Sequence, residues 1–262
     1  MHPKKAKFLH CKGKKSQMCA VQLEVRNISK TYETGLLSRK RTSILKDISF
    51  RVEKGQTFGI VGESGTGKTT LGKIIAAVEK PSTGEILFQG NALGEIKKRE
   101  SLSFRPRIQM MFQDPEGSLN PKKTILKSLD EVLNLIKIPR EDRTAAIQNI
   151  FATVGLSEEI LVRYPNQLSG GLNQRVTLTR ILLLDPEIII LDEPTSALDI
   201  SVQAQMLNLL KDLQQKKGLT YIFISHDIDV IRFMCHDIGV IENGKLLTSA
   251  ATSAAGSTSS AS

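Results

Sequence analysis

Length, composition and charge limit what this chain can be. Its 262 residues are 40% hydrophobic and include no Trp, which is typical of a soluble α/β protein with one large or two small domains. No apolar run approaches the roughly 18 residues of a transmembrane helix. The longest candidate, residues 181–191, is interrupted by Asp185, Pro186 and Glu187. We therefore expect a chain that does not itself span a membrane.

The net charge of +9 is concentrated near the N-terminus. Residues 1–20 hold six lysines and no acidic residue, so the rest of the chain carries +3. This distribution predicts a disordered basic tail and no basic face for nucleic acid. Residues 249–262 are all small, which indicates a linker or an expression remnant. The three cysteines lack metal-binding spacing and favour a reducing compartment.

Strand and helix patterns alternate between these tails. Residues 21–25 and 48–52 alternate apolar with polar side chains, which predicts two antiparallel strands separated by a basic surface loop over 35–41. A short apolar strand is predicted over 57–61. The helix that follows it has four apolar positions at helical spacing: Leu71, Ile74, Ile75 and Val78.

The second half of the chain begins with a strand predicted over 107–112. Residues 124–184 are mostly helical by pattern, and their apolar positions include Leu126, Leu129, Leu133, Ile147, Ile150, Phe151 and Val154. Residues 188–191 are wholly apolar, which predicts a strand in a parallel sheet covered on both faces. The remaining elements are a helix over 202–215, a strand over 221–224 and a hairpin turn at Asn243-Gly244. This order predicts a nucleotide-binding α/β core with a helical insertion.

One segment matches the phosphate-binding pattern G-x-x-x-x-G-K-[ST]: Gly62-Glu63-Ser64-Gly65-Thr66-Gly67-Lys68-Thr69. Glycines let the backbone approach phosphate oxygens, and N–H groups at a helix N-terminus attract negative charge. Lys68 offers a point charge to the β- and γ-phosphates, and the Thr69 hydroxyl is a ligand for Mg²⁺. Thr70, in the same first helical turn, is assigned to the nucleotide site as well.

An acidic pair ends the apolar strand at 188–191. Strand ends are where an α/β sheet presents groups to a ligand. Asp192 is therefore predicted to hold Mg²⁺ through water, and Glu193 is placed to polarise the attacking water. Two solvated acids after a buried strand would be unremarkable alone, but a phosphate loop in the same chain favours the catalytic interpretation.

Further segments place the chain beside a known family. Leu168-Ser169-Gly170-Gly171 resembles the LSGGQ signature of ABC ATPases, and it lies between the phosphate loop and the acidic pair as in that family. The resemblance covers residues 21–247. It implies an α/β P-loop NTPase with a RecA-like parallel-sheet core, an antiparallel β subdomain and an inserted α-helical subdomain. The expected domain is 21–248, with the helical subdomain over about 114–180.

The resemblance also implies roles for single residues. Tyr32 resembles the aromatic residue that stacks on adenine. Gln113 resembles the glutamine that senses Mg²⁺ and the attacking water, and His226 resembles the histidine that contacts the γ-phosphate. Ser196-Ala197-Leu198-Asp199 resembles the loop that links the two ATP sites.

In the family, two ATPase domains pair head to tail, and each ATP lies between one phosphate loop and the other subunit's signature. Ser169, Gly170 and Gly171 would offer the γ-phosphate a second set of donors at a helix N-terminus. Leu172 replaces the glutamine of the fifth signature position but leaves those donors in place. ATP binding would then close the pair, and hydrolysis would reopen it.

Four segments resemble the ATPases of peptide and nickel importers: Phe112-Gln113-Asp114-Pro115, Gly117-Ser118-Leu119-Asn120-Pro121, Tyr164-Pro165-Asn166-Gln167 and Asp199-Ile200-Ser201-Val202-Gln203-Ala204. The resemblance implies a peripheral protein on the cytoplasmic face of the membrane. Its expected partners are a second ATPase subunit, in a heterodimer more than a homodimer, two permeases and, indirectly, a solute-binding protein. The C-terminal extension typical of the larger peptide-transport subunits is absent, which favours a short nickel-type or metallophore-type subunit.

Two other classes stay open. An ABC ATPase of a soluble complex, such as the phosphonate-cleaving system, would co-purify without a permease. A nucleic-acid-binding module that uses the basic tail would bind in a strongly salt-dependent way and lose that binding when residues 1–20 are deleted.

Overall fold

The computed structural model describes residues 21–34, 40–95, 105–114 and 117–248. Two β-sheets form its frame, one with four strands and one with six. Both predicted tails, residues 1–20 and 249–262, lie outside the described residues.

The smaller sheet is antiparallel and contains β1 (Val21–Thr34), β2 (Lys40–Glu53), β4 (Thr83–Phe88) and β5 (Asn91–Ala92). Its order is β2-β1-β4-β5, so the two predicted antiparallel strands are direct neighbours. The predicted loop over 35–41 is wrong for its last two residues. Lys40 and Arg41 extend β2, because the ladder continues there and the Arg41 Nε donates to the Glu33 carboxylate at 2.9 Å. Residues 35–39 lie outside the described part.

The larger sheet contains β3 (Thr57–Val61), β6 (Ile108–Met111), β7 (Ile188–Asp192), β8 (Thr220–Ser225), β9 (Asp237–Glu242) and β10 (Lys245–Thr248). Its order is β10-β9-β3-β8-β7-β6, and all neighbours are parallel except β10 on β9. The predicted hairpin turn is confirmed. Asn243 and Gly244 have φ of 50° and 78°, as a type I′ turn requires.

The helices are α1 (Lys68–Ile75), α2 (Ile125–Leu135), α3 (Arg140–Val154), α4 (Gly170–Leu182), α5 (Ile200–Lys217) and α6 (Ile228–Met234). Four of them follow a capping residue whose side chain accepts a backbone N–H of the first turn. These N–H groups have no partner within the helix. These caps are Thr124, Ser169, Asp199 and Asp227.

Two of the apolar positions assigned to helices from the sequence pattern are exposed. Val78 lies beyond α1 and is 63% exposed, because Ala77 takes a left-handed φ of 54° and ends the helix at Ile75. Leu126 lies on the outer face of α2 and is 38% exposed, whereas Leu129 and Leu133 of the same helix are buried.

The parallel sheet is covered on both faces, as its apolar strands predict. On β7, Ile188 and Ile190 pack into a core shared with α1 and the antiparallel sheet. Ile189 and Leu191 face the opposite way, into a core formed with α2 to α6. This sandwich fixes the carboxyl ends of the strands, where the predicted site residues lie.

Candidate functional site

The phosphate-loop segment wraps around the side chain of Lys68. Lys68 is the first residue of α1 and only 6% exposed, and its Nζ donates to the carbonyl oxygens of Gly62 at 2.7 Å and Glu63 at 2.8 Å. Gly67 caps the helix with a φ of 100°, and a Cβ there would lie 2.7 Å from Ile44 Cγ2. Only glycine meets both conditions, so this turn depends on Gly67.

A buried acid lies beneath the loop. Asp192, the last residue of β7, is 2% exposed, and its carboxylate accepts a hydrogen bond from the Thr69 side chain. Burial raises the pKa of Asp192, and the charge of Glu193 raises it further, while the Thr69 bond and Lys68 lower it. Asp192 and Thr69 therefore place a carboxylate and a hydroxyl oxygen side by side. A cation bound there would offset the free-energy cost of burying the ionised carboxylate.

Three predicted site residues meet at a single carboxylate. Gln113 Nε2 donates to Glu193 Oε2 at 3.0 Å, and His226 Nδ1 lies 3.1 Å from Glu193 Oε1. The topology explains this meeting: Gln113, Glu193 and His226 follow β6, β7 and β8, which are neighbours in the sheet. The carboxyl ends of parallel strands share an edge, so residues far apart in sequence come together there.

Glu193 is held by its backbone as well as by its side chain. Its φ is 47°, in the left-handed region that non-glycine residues seldom adopt, and its N–H donates to Ile224 O at 2.9 Å. Its side chain is 12% exposed, whereas that of His226 is 59% exposed. The carboxylate is thus fixed in direction, and His226 partly shields it at the mouth of the site.

A cleft of about 1020 Å³ joins these groups. Predicted site residues on its wall are Tyr32, Ser64, Gly65, Gly67, Lys68, Thr69, Thr70, Gln113, Gly170, Glu193 and His226. Among the described residues, the other predicted site residues do not line the cleft: Gly62, Glu63, Thr66, Ser169, Gly171, Asp192 and Asp199. Ile44 and Gln174 also line the cleft, and they could not be singled out from the sequence because they match no motif.

The signature segment stands at the exposed start of α4. Ser169 is exposed, and its Oγ accepts the N–H of Leu172 at 3.4 Å. A Cβ on Gly171 would lie 2.7 Å from Val202 Cγ1, so the starts of α4 and α5 are in contact. Leu172 packs against the helical core. Asp199 caps α5 by accepting the Val202 N–H at 3.0 Å, and this bond lowers the pKa of Asp199.

In the ranges that the structure describes, no three His, Cys, Asp or Glu side chains are grouped so that they could hold a metal ion. None of the described helices combines the length and the apolar character needed to cross a bilayer.

Comparison with known proteins decides the family. A family model described as ABC transporter matches residues 45–196, more than half of the chain. The chain belongs to the ABC transporter ATPase family. It is therefore an ATPase with the RecA-like α/β fold of that family, and both predictions are confirmed. The roles assigned to single residues, and the domain limits, stay predictions.

Curated relatives of this ABC ATPase are transport proteins. The oligopeptide transport ATP-binding protein OppF of Streptococcus mutans is 40% identical over 227 residues, which cover 86% of this chain and 73% of the relative. OppF of Bacillus subtilis is 42% identical over 228 residues, covering 86% of this chain and 74% of the relative. The resemblance to peptide-importer ATPases is thus confirmed, whereas a nickel-type or metallophore-type subunit stays a prediction.

Solved structures give the same fold. The chain superposes on cbiO1 of Clostridium perfringens, part of the ABC transporter complex cbiONQ, with a TM-score of 0.75, 27% identity and 87% coverage of both chains. It superposes on a dimeric post-hydrolysis state of the ATP-binding cassette MJ0796, bound to ADP and Pi, with a TM-score of 0.73 and 31% identity over 86% of this chain and 96% of that chain.

Proposed function

We propose that this ABC ATPase powers an importer of oligopeptides, and that hydrolysis takes place at Glu193. The observation that carries the proposal is the fixed carboxylate of Glu193, which bonds to both Gln113 and His226 beside the phosphate loop. The peptide cargo is inferred from the relatives, which are oligopeptide transport proteins at 40% identity and above.

The phosphates of ATP would bind along the loop from Gly62 to Thr69. Two of the three ammonium hydrogens of Lys68 are engaged by loop carbonyl oxygens, which leaves one for a phosphate oxygen. The backbone N–H groups of Lys68, Thr69 and Thr70 would add donors at the start of α1, where the helix dipole favours negative charge. Tyr32 lines the same cleft and offers an aromatic ring for the adenine.

A magnesium ion fits the chemistry of the neighbouring residues. The Thr69 hydroxyl and the buried Asp192 carboxylate are oxygen ligands, and Gln113 adds an amide oxygen close by. Two or three such groups suffice, because Mg²⁺ usually keeps several waters and binds phosphate oxygens as well. When bound, the ion would neutralise charge that develops on the phosphates.

Glu193 would then act as the base for the attacking water. Gln113 holds one carboxylate oxygen and His226 the other, so the group keeps a constant direction through the reaction. Water approaching this carboxylate would give it a proton and attack the γ-phosphate, and the bond from that phosphate to ADP would break so that ADP leaves. His226 would contact the γ-phosphate.

The second half of each site would come from another subunit. Ser169, Gly170 and Gly171 present the exposed N-terminus of α4, and Asp199 presents that of α5. We infer that they contact ATP held by a partner ATPase subunit, which is a different chain in a heterodimer or a second copy in a homodimer. ATP bound between the two subunits would hold them together, and loss of its γ-phosphate on hydrolysis would let them separate.

The remaining assembly follows from the peptide-importer relatives. We infer that two membrane permeases bind the ATPase pair at the cytoplasmic face, and that an extracytoplasmic binding protein delivers the cargo to them. The segment after Gln113 is suited to contact a permease. It is docked onto α4, because Arg180 of that helix donates to Ser118 O at 2.8 Å and Leu119 is buried. Exchange of residues 114–121 should abolish permease docking and coupled transport, and intact transport would contradict this contact.

The variant Glu193→Gln tests the catalytic assignment. It keeps the shape of the side chain and removes the base, so turnover should fall at least about a hundredfold while ATP affinity stays within about twofold. A closed ATP-bound dimer should accumulate, as measured by light scattering. Glu242→Gln, an exposed residue at the end of β9, makes the same charge change and should leave turnover intact. Normal turnover by Glu193→Gln would refute the role.

A further inference from the structure

Tyr32 is held by a network of charged side chains that the roles above do not use. The Tyr32 hydroxyl donates to Glu79 Oε1 at 2.5 Å. Lys30 Nζ lies 2.9 Å from the same carboxylate oxygen and donates to Lys80 O at 2.7 Å. The same ammonium stands over the Tyr32 ring, 5.0 Å from its centroid. The Tyr32 hydroxyl also hydrogen-bonds to the side chain of Thr70, in the first turn of α1.

The network restrains a ring that would otherwise be free to turn. Tyr32 is 37% exposed, so packing alone holds it weakly. The side chains of Lys30 and Glu79 are only 14% and 24% exposed, which protects their ion pair from full screening by water. The bond to Glu79 raises the pKa of Tyr32, because the neutral hydroxyl is the donor. Lys30 lies over the ring, and the ring lines the cleft.

The network also ties the ring to the phosphate loop. Glu79 follows α1, and its N–H donates to Lys73 O in that helix at 3.1 Å. Because α1 begins with Lys68, the bond from Glu79 to Tyr32 sets the ring at a fixed place relative to the loop. A base and a triphosphate on one nucleotide need two contact points at a constant separation.

We propose that Glu79 and Lys30 are positioning residues that hold the Tyr32 ring as a preformed platform for the base of ATP. The proposal rests on the proposed function, in which Tyr32 stacks on that base. A ring held in its bound orientation saves the entropy of ordering it when the nucleotide arrives. Since the Tyr32 hydroxyl donates its proton to Glu79, the ring offers the base its face and no hydrogen-bond donor.

Binding of two ligands to the full chain tests the platform. ATP carries a base, whereas inorganic tripolyphosphate reaches only the phosphate loop. In Glu79→Ala, ATP affinity should fall about three- to tenfold, since stacking weakens, while tripolyphosphate affinity stays within about twofold. Tyr32→Phe keeps the ring but loses the same bond and should act alike. The double variant should bind ATP no more weakly than Glu79→Ala alone.

Glu85→Ala is the matched control. Glu85 is exposed and pairs with Arg26 at 3.1 Å on the same sheet, so it removes an equal charge away from the cleft and should change neither affinity. An equal fall for ATP and tripolyphosphate in Glu79→Ala would overturn the proposal, as would an unchanged ATP affinity. Tyr32→Ala separates the two levels: unchanged ATP affinity there would refute the platform itself, whereas a fall there without one in Glu79→Ala would refute only the positioning role.

Discussion

The residues proposed to act on ATP fall into two regions that are built differently. Gln113, Glu193 and His226 follow neighbouring parallel strands, and their side chains bond to one another across the sheet edge. Ser169 and Asp199 cap the exposed starts of α4 and α5, and their described bonds go to their own helices. The first region is held together by bonds between its own side chains. In the second region, the described bonds of the two caps do not join them to each other.

This difference predicts a division of effects. Substitutions at the sheet edge and phosphate loop should change what the isolated chain does with ATP. Substitutions at the starts of α4 and α5 should matter only when a second ATPase subunit is present. Gly170 is the critical case, because it belongs to the second region and yet lines this chain's own cleft.

The largest effect on the isolated chain is expected for Lys68→Ala. The change removes the charge from the loop together with the Lys68 hydrogen bonds to Gly62 O and Glu63 O, so the loop loosens. ATP affinity should fall about tenfold to a hundredfold in equilibrium binding. Lys245→Ala, on the exposed edge strand, should bind ATP normally. Unchanged affinity in Lys68→Ala would show that this loop does not hold the phosphates.

His226→Ala should affect turnover more than binding. It removes one of the two side chains that hold the Glu193 carboxylate, and with it the contact proposed for the γ-phosphate. We expect turnover to fall about tenfold to a hundredfold while ATP affinity stays within about twofold. His226→Gln can still donate to Glu193 and should recover part of the loss. Equal turnover in His226→Ala and the natural protein would contradict this geometry.

Asp192→Asn should separate stability from function. Burial raises the pKa of Asp192 above its unfolded value, so its ionised form costs stability at neutral pH. The neutral variant without nucleotide should melt about 2–4 °C higher at pH 7, and the difference should vanish below about pH 4, where both states are protonated. The extra stabilisation given by Mg²⁺ with ATP should be lost. A lower melting temperature at pH 7 would contradict the electrostatic account.

Leu172→Gln should have the smallest effect. Leu172 is half-buried against the helical core, and its backbone N–H is the group that Ser169 bonds. Restoring the glutamine of the family signature leaves that backbone in place, so turnover of the assembled ATPase should change by less than about twofold. A larger rise would mean that the side chain at this position contacts the nucleotide or the partner.

Local pattern and glycine chemistry were sufficient to predict much of the fold. The strand over 57–61 has the predicted bounds, and the wholly apolar 188–191 lies inside the sheet as expected. The end of α1 could not be predicted, because the left-handed Ala77 that terminates it has no turn signal. The strand residues Lys40 and Arg41 were also missed, since pairing with β1 overrode their polar character.

The site divides in the same way. Motifs identified the loop and the acidic pair, and family resemblance added Gln113 and His226, which lie 80 and 33 residues from the carboxylate they contact. The bond between Tyr32 and Glu79 spans 47 residues and belongs to no motif, so it could be found only after folding. A contact between two single polar side chains leaves almost no trace in a single sequence.

The most direct test of the division between the two regions is Gly170→Glu. A side chain fits at this position, because a Cβ there would meet only Leu198 Cδ2 at 3.8 Å, and the added charge would repel phosphate. ATP binding is measured on the dilute isolated chain and hydrolysis on the assembled ATPase pair. We predict binding within about twofold of the natural protein and hydrolysis reduced at least tenfold. Weakened binding by the isolated chain would contradict the account, because the signature would then act on this chain's own ATP.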